Sequence, residues 1–560
     1  MHIGIDVGGT STDGVLLHRG ELVQSVKKPS RQEDLAETIL AVLDGLLEGR
    51  DAGAVRRLVI STTLVTNLLA TQKGARTALI LVPGRGLPFD FYRIAPDTYF
   101  LKGNIDFRGK VTEPVEEAEI ERAVADIRAR GIGRIAVAAK FSNRNRTVEQ
   151  EIARAIKRLY PEATVVLGSE TANRLNFPRR AVTAYYSAVT APEWNGFADR
   201  IEEALHRRGL KAPVDILKAD GGTMPLVLSR ENPVETVFSG PAASAMGAVA
   251  LSRRKENAVV IDIGGTTSDI ALLIDGEPLH ASGGALINGR LTHINALALR
   301  SLALGGDSAV KGESGRVEIT AERFGPAACF GGPVATVSDA FACHRGLKLG
   351  EAERAREKIA AAAAAAGLEP GPFAAAVVEQ ALERLGALIQ GMFREWENEP
   401  AYKVWEIVHR RRFRLDRLYG IGGAAELIVP LLADRLGVPY LVHRLAPVAN
   451  ALGTAVARPT LAVSLYADTQ QKRYLVDREG IEGSIDNPEG FRLEEARKTA
   501  AQCLARLAAA RGAAQYLNDT RVILAEQFNM IRGFSRVGKI FRVDVQIAPG
   551  LIDEFEGVAD

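Results

Sequence analysis

The sequence predicts an α/β protein of two related lobes followed by a small α+β appendage. Three observations carry that expectation. The chain has 560 residues, too many for a single hydrophobic core. It repeats one unit, IGIDVGGTSTDGVLL at Ile3–Leu17 and VVIDIGGTTSDIALL at Val259–Leu273. A strand, Gly-Gly, helix pattern follows the second copy, YGIGGAAELIVPLLADRLG at Tyr419–Gly437.

Each repeat is an apolar run ending in Asp, a Gly-Gly-Thr turn, and a second apolar run, which reads as two strands joined by a tight turn. Residues 1–240 are expected to form the first lobe, with a helix near Arg31–Leu47, a strand at Arg57–Ile60, a helical stretch at Glu116–Arg130 and a strand at Arg134–Phe141. Residues 241–460 are expected to form the second, with a helical insertion at about Glu351–Glu397. The Ala360–Ala366 run continues a charged helical pattern and stops at Gly367 and Pro370. Residues 461–560 read as the appendage: a strand, the helix Leu493–Arg511 and the alternating strand KIFRVDVQI. They carry no catalytic motif.

Composition excludes several classes. Apolar residues make up 47% and charged residues 25%, both ordinary for globular proteins. The formal net charge of +2 argues against a nucleic-acid surface. No apolar stretch reaches membrane-spanning length, and none near Met1 has room for a signal peptide. Cys329, Cys343 and Cys503 lack knuckle or redox spacing, so reduced thiols and a cytoplasmic location are expected. The basic run Arg410–Arg417 reads as a solvated or interface-facing edge.

The repeated turn suits phosphate. Glycines let backbone N–H groups approach phosphate oxygens and permit φ > 0, and successive N–H groups form an anion nest. The expected nucleotide contacts are Gly8, Gly9, Thr10, Ser11 and Asp13 in the first unit, and Gly264, Gly265, Thr266, Thr267 and Asp269 in the second. Asp6 and Asp262, at the ends of the incoming strands, are the candidate catalytic residues: either can hold Mg²⁺, which prefers a few carboxylates plus phosphate and water, or orient the acceptor as base. In the third element, Gly422, Gly423 and Ala424 would let a purine lie against the backbone, with Glu426 a ribose or purine partner.

These three elements, in this order, resemble the superfamily of sugar kinases, large heat-shock chaperones and actin. That resemblance implies two ribonuclease-H-like lobes gripping ATP, with Ser239–Leu251 and Ala446–Ala457 as the linking helices. More narrowly, residues 1–460 are similar to the hydantoinase A/oxoprolinase family. The shared pieces are Ser61–Gly84, Asp220–Leu226, SGPAASAMGAV, VIDIGGTTSDIALL, Ala303–Val310 and Gly325–Ala340. The family resemblance implies coupling of ATP cleavage to the opening of cyclic amides, or to ketone carboxylation, together with a larger second subunit of hydantoinase B type. The chain departs from the family pattern at Ser11, at Gly305-Gly306-Asp307-Ser308, and over Arg174–Ser187.

Other candidates keep two readings. Thr62, Thr63 and Asn67 present either ligand contacts or a helix cap. Gly305, Gly306, Asp307 and Ser308 form either a nucleotide loop or an ordinary turn. Asp339 is either a site residue or a cap. His293, His344 and His443 have no i, i+4 partners and read as structural or surface histidines.

Overall fold

In a computed structural model, all residues are described except 32–33, 253, 400–411, 478–479, 556 and 558–560. Part of the basic run at Arg410–Arg417 therefore lies outside the described residues. Within the rest of it, Arg417 donates from Nε to Glu256 at 3.0 Å.

The two lobes are built on sheets of one plan. In the first, Glu21–Pro29, Ser11–His18 and His2–Val7 run antiparallel, and Arg57–Thr62 and Val214–Leu217 extend the sheet in parallel. In the second, Glu277–Pro278, Ser268–Ile274 and Ala258–Ile263 run antiparallel, and Arg417–Ile421 and Tyr440–Val442 continue in parallel. The repeat thus supplies the first two strands of each sheet. The central strands are buried on both faces, so Ile3, Ile5, Val259 and Ile261 are fully covered and the runs read as continuous apolar stretches rather than alternating ones.

The predicted helices are present with shifted ends. The first is Leu35–Leu47, begun by Asp34, whose carboxylate accepts from Glu37 N at 3.1 Å. The helical insertion is a pair, Ala352–Ala365 and Pro370–Glu397, packed on the second lobe. Between Ala70 and Phe177 lies a parallel four-stranded sheet ordered Thr164–Leu167, Arg134–Ala139, Ala78–Val82, Thr98–Phe100, with its own apolar core. The strand expected to end at Phe141 ends at Ala139, and Phe141 turns the chain with a φ of 62°.

Two helices cross between the lobes. Ser239–Ser252 and Ala449–Val456 touch through bare backbone: a Cβ on Gly453 would lie 2.2 Å from Ala243 O, and one on Gly247 2.2 Å from Ala449 O. Gly4 of the first strand is pressed against the same helix, where a Cβ would meet Ala451 O at 2.3 Å. After this crossing, Leu461–Asp468 opens a five-stranded antiparallel sheet backed by the helix Leu493–Ala510. Its last two strands, Thr520–Arg532 and Ser535–Ile547, form a long hairpin. Among the described residues no single helix is long and apolar enough to cross a membrane.

Candidate functional site

The two hairpin turns are closed alike. Gly8 N donates to Ser11 O at 2.9 Å, and Gly264 N donates to Thr267 O at 3.0 Å. None of Gly8, Gly9, Gly264 and Gly265 takes a positive φ, so the left-handed freedom that glycine permits is not used in these turns. Gly8 and Gly265 serve close approach instead. A Cβ on Gly8 would meet Ser11 O at 2.9 Å, one on Gly265 would meet Asp307 Oδ2 at 2.5 Å, and one on Gly9 would point into open space. Thr10 holds the turn through its carbonyl, which accepts from Ser30 N at 3.0 Å.

Strand register brings the acids together. Asp6 lies opposite Asp13 and Asp262 opposite Asp269, so each pair shares a face of its sheet. Burial, with Asp13 and Asp262 nearby, pushes the Asp6 carboxyl up to about 7 despite hydrogen bonds from Ser61 and Asn450. Burial and Asp262 push Asp269 up to about 7 as well. Asp13 is also raised by burial, against the pull of Lys27, whose Nζ lies 2.9 Å from Asp13 Oδ1.

Three residues outside the sequence expectation shape this cluster. Ser244 Oγ donates to Asp262 Oδ2 at 2.6 Å, and Asn450 Nδ2 donates to the same oxygen at 2.9 Å. Lys27 is the third. Ser244 and Asn450 come from the two crossing helices, so the helix crossing and the acidic cluster are one construction. A mid-helix Ser and a lone Asn in Ala- and Gly-rich helices were the available signals.

The loop after the second hairpin packs onto it. Gly306 N donates to Gly264 O and Asp307 N to Gly265 O, each at 2.8 Å. A Cβ on Gly305 would collide with Gly265 backbone at 2.5 Å, and one on Gly306 would meet Ala424 Cβ at 2.9 Å. Gly422 does take a positive φ, 87°, and a Cβ there would reach Asp262 Oδ1 at 2.4 Å. Gly422 and Ala424 therefore stand beside the second hairpin. Gly423 is exposed with open space at its Cβ position, and Glu426 is exposed on the first turn of the helix Ala425–Leu436.

The remaining candidates are tied into the scaffold. Asp307 accepts from Arg323 and from Ala327 N, both at 3.0 Å. Asp339 is fully buried and accepts from Ala328 N, Cys329 N, Thr336 Oγ1 and Thr336 N, the last within a capping box. Thr62 Oγ1 accepts from Leu64 N at 3.2 Å, and Thr63 Oγ1 from Asn67 Nδ2 at 3.3 Å. His293 is held neutral by burial and neighbouring arginines, which push it down to about 3. His344 is exposed, and His443 Nδ1 accepts from Leu445 N. Burial pushes the Cys329 thiol up to about 12.

Among the described residues, no group of three or more His, Cys, Asp or Glu side chains forms a metal cage by itself. The acidic cluster nevertheless fits a hard divalent cation arriving with phosphate. Asp6 Oδ1 is buried without a hydrogen-bond partner, and the crowded carboxylates disfavour one another's charge until a cation joins them.

Two lobes with one strand order, each presenting an acidic Gly-Gly-Thr hairpin, define the actin-like, two-lobed α/β class. The family model described as hydantoinase/oxoprolinase matches residues 180–463, and that of the hydantoinase/oxoprolinase N-terminal region matches residues 2–160. The chain belongs to the hydantoinase/oxoprolinase family. It is 26% identical over 337 residues to the caprolactamase subunit alpha of Pseudomonas jessenii, covering 55% of this chain and 48% of that protein. It is 24% identical over 349 residues to the acetophenone carboxylase gamma subunit of Aromatoleum aromaticum, covering 55% and 47%. The chain thus spans about half the length of the relatives it matches. Its fold is similar to that of the ATP-dependent caprolactamase from Pseudomonas jessenii, with a TM-score of 0.72, 19% identity, and coverage of 98% of this chain and 87% of the other. Nucleotide-free acetone carboxylase gives a TM-score of 0.73 at 18% identity, with 99% and 88% covered.

Proposed function

We propose that this chain is the ATP-cleaving subunit of an enzyme that phosphorylates a cyclic amide and so activates it for hydrolytic ring opening. The observation that carries the reading is the meeting of four hairpin carboxylates, Asp6, Asp13, Asp262 and Asp269, beside two matching phosphate-sized turns. In this reading the turns at Gly8–Ser11 and Gly264–Thr267 hold phosphates through backbone N–H groups. Gly422, Gly423 and Ala424 receive the purine, and the exposed Glu426 approaches the ribose. Gly305 and Gly306 brace the second turn. Mg²⁺, when bound, would neutralise phosphate charge, and Asp6 and Asp262 are the residues to hold it, in part through water.

Amides resist water because the carbonyl carbon is a poor electrophile and nitrogen a poor leaving group. Transfer of the γ-phosphoryl group to the amide oxygen breaks the bond to ADP and forms a new P–O bond. Water then attacks the activated carbon, the C–N bond opens, and inorganic phosphate leaves. Phosphoryl transfer needs chiefly in-line positioning and charge neutralisation, which the cleft residues supply.

The names of the relatives support this class and also a second reading, since one is a caprolactamase subunit and another an acetophenone carboxylase subunit. An ATP-dependent ketone carboxylase would use the same hairpins. Both readings place part of the site on a larger subunit of hydantoinase B type. Asp307 and Asp339 are spent on internal hydrogen bonds, and burial pushes His293 down to about 3, which makes it a weak base for activating water. The test is phosphate release from ATP against lactams, hydantoins and ketones, with and without the larger subunit. The proposal expects amide-stimulated release that yields ring-opened product only with the partner. Stimulation by ketones and bicarbonate alone would replace it with the carboxylase reading.

A further inference from the structure

The appendage sheet ends in a long free edge. Its strands are ordered Glu482–Ser484, Arg473–Val476, Leu461–Asp468, Ser535–Ile547, Thr520–Arg532, so Thr520–Arg532 has a neighbour strand on one side only. It runs for 13 residues, where strands usually have about five or six, and it contains no proline. Its bulge lies near the base, with Ile523 the extra residue between Val522 and Leu524. The second irregularity puts its extra residue, Val537, on the neighbouring strand, so Leu524–Arg532 keeps an unbroken alternation.

Large apolar side chains lie open along this edge. Phe528 is 51% exposed and Ile531 65%, and Phe534 at the hairpin tip is wholly exposed. A long, apolar free edge is what monomeric proteins avoid, because its unpaired N–H and C=O groups invite another strand. The charges on it are also unspent. Among the described residues, Glu526 and Arg532 form no ion pair and no side-chain hydrogen bond. Arg542, across from Glu526 on the neighbouring strand, pairs instead with Asp544 at 3.4 Å.

The sequence of this strand is its own complement when reversed. A two-fold axis normal to the sheet pairs the edge with a copy of itself in antiparallel sense, and opposed residues share a face. Glu526 and Phe528 share a face with Arg542 and Ile540, and Met530 and Arg532 continue it. Gln527 belongs to the other face, with the buried Phe541. Only an axis through Asn529 sets Glu526 opposite Arg532, and symmetry makes that pair twice. The same register sets Phe528 opposite Met530 between the two charge pairs. It also brings the tip residue Phe534 level with Leu524, beside the exposed Ile523. A strand built for an unrelated partner has no need of this symmetry.

We propose that this edge joins two copies of the chain, through antiparallel pairing of Leu524–Arg532 about Asn529. The appendage sheet of each copy becomes half of one continuous sheet. Backbone hydrogen bonds hold the seam, Phe528 and Met530 cover each other at its centre, and Glu526 and Arg532 fix the register at its ends.

The test is sedimentation velocity on the full chain, alone and with any larger subunit that co-purifies, with folding checked by circular dichroism. Wild type should sediment as a dimer of this chain. Glu526→Arg and Arg532→Glu each oppose like charges at two places and should weaken the dimer by about tenfold or more. The double variant exchanges the signs, restores both pairs and should recover the dimer. Oxidised Asn529→Cys should give a disulfide-linked dimer, because opposed Cα atoms lie about 4.5–5.5 Å apart, within disulfide reach. Gln527→Cys, set opposite Ile531, should not. A monomeric wild type, a dimer indifferent to both reversals, or a folded double variant that stays weakened would each overturn the proposal. Disulfide dimers of Gln527→Cys in place of Asn529→Cys would overturn it too. Loss of the larger subunit from Glu526→Arg with the dimer intact would also overturn it, and would give the edge to that subunit.

Discussion

Asp6 carries two opposed demands. As a ligand holder it must be charged, yet burial and the neighbouring Asp13 and Asp262 raise its carboxyl to about 7. A carboxyl raised in the fold takes up a proton that the unfolded chain releases. Its penalty to stability is absent below about pH 4, grows as pH rises to about 7, and stays constant above that. Asp6→Asn should therefore stabilise the nucleotide-free protein at pH 8, by roughly 1 kcal/mol or more, with the gain shrinking toward pH 4. Chemical denaturation across that pH range checks the sign. A variant less stable than wild type at pH 8 would contradict the assignment of a strained charge. At this scale the repeat made Asp6, Asp13, Asp262 and Asp269 legible, because turn and acid sit at fixed spacing. Ser244 and Asn450 were not legible, because their partner Asp262 is near only once two distant helices cross.

The crossing of Ser239–Ser252 with Ala449–Val456 is the element on which the site depends. Both helices are rich in Ala and Gly, and composition alone allowed an ordinary core helix as readily as an interlobe crossing. The backbone contacts at Gly247 and Gly453 decide for the crossing. Gly453→Val would drive a side chain into Ala243 O and Gly247 N, both already within 2.3 Å of an added Cβ. We expect a loss of about 1–3 kcal/mol in chemical denaturation. ATP affinity should fall further than the lost stability explains, because Asn450 shifts with its helix. A variant with wild-type stability would show that the helices can separate freely. The inserted parallel sheet was the element missed in outline. Its strands, such as Ala78–Val82 and Arg134–Ala139, are short apolar runs that look the same whether they join the lobe's sheet or form another.

The whole molecule is two copies of one sheet plan joined through the helix crossing, with an appendage whose hairpin and loops reach both. Arg521 of the long hairpin pairs with Glu277 of the second lobe, and Arg146 of the inserted region donates to Val476 O of the C-terminal sheet at 2.7 Å. Duplication was visible in the chain because both hairpins kept Asp-x-Gly-Gly-Thr-x-x-Asp. The central claim is that ATP is held and cleaved between the two hairpins. It is tested most directly by ATP turnover in Asp6→Asn and Asp262→Asn, with folding checked by circular dichroism. Each variant should lose at least about tenfold, ~1.4 kcal/mol in the barrier, while remaining folded. Turnover unchanged from wild type in both folded variants would contradict the account.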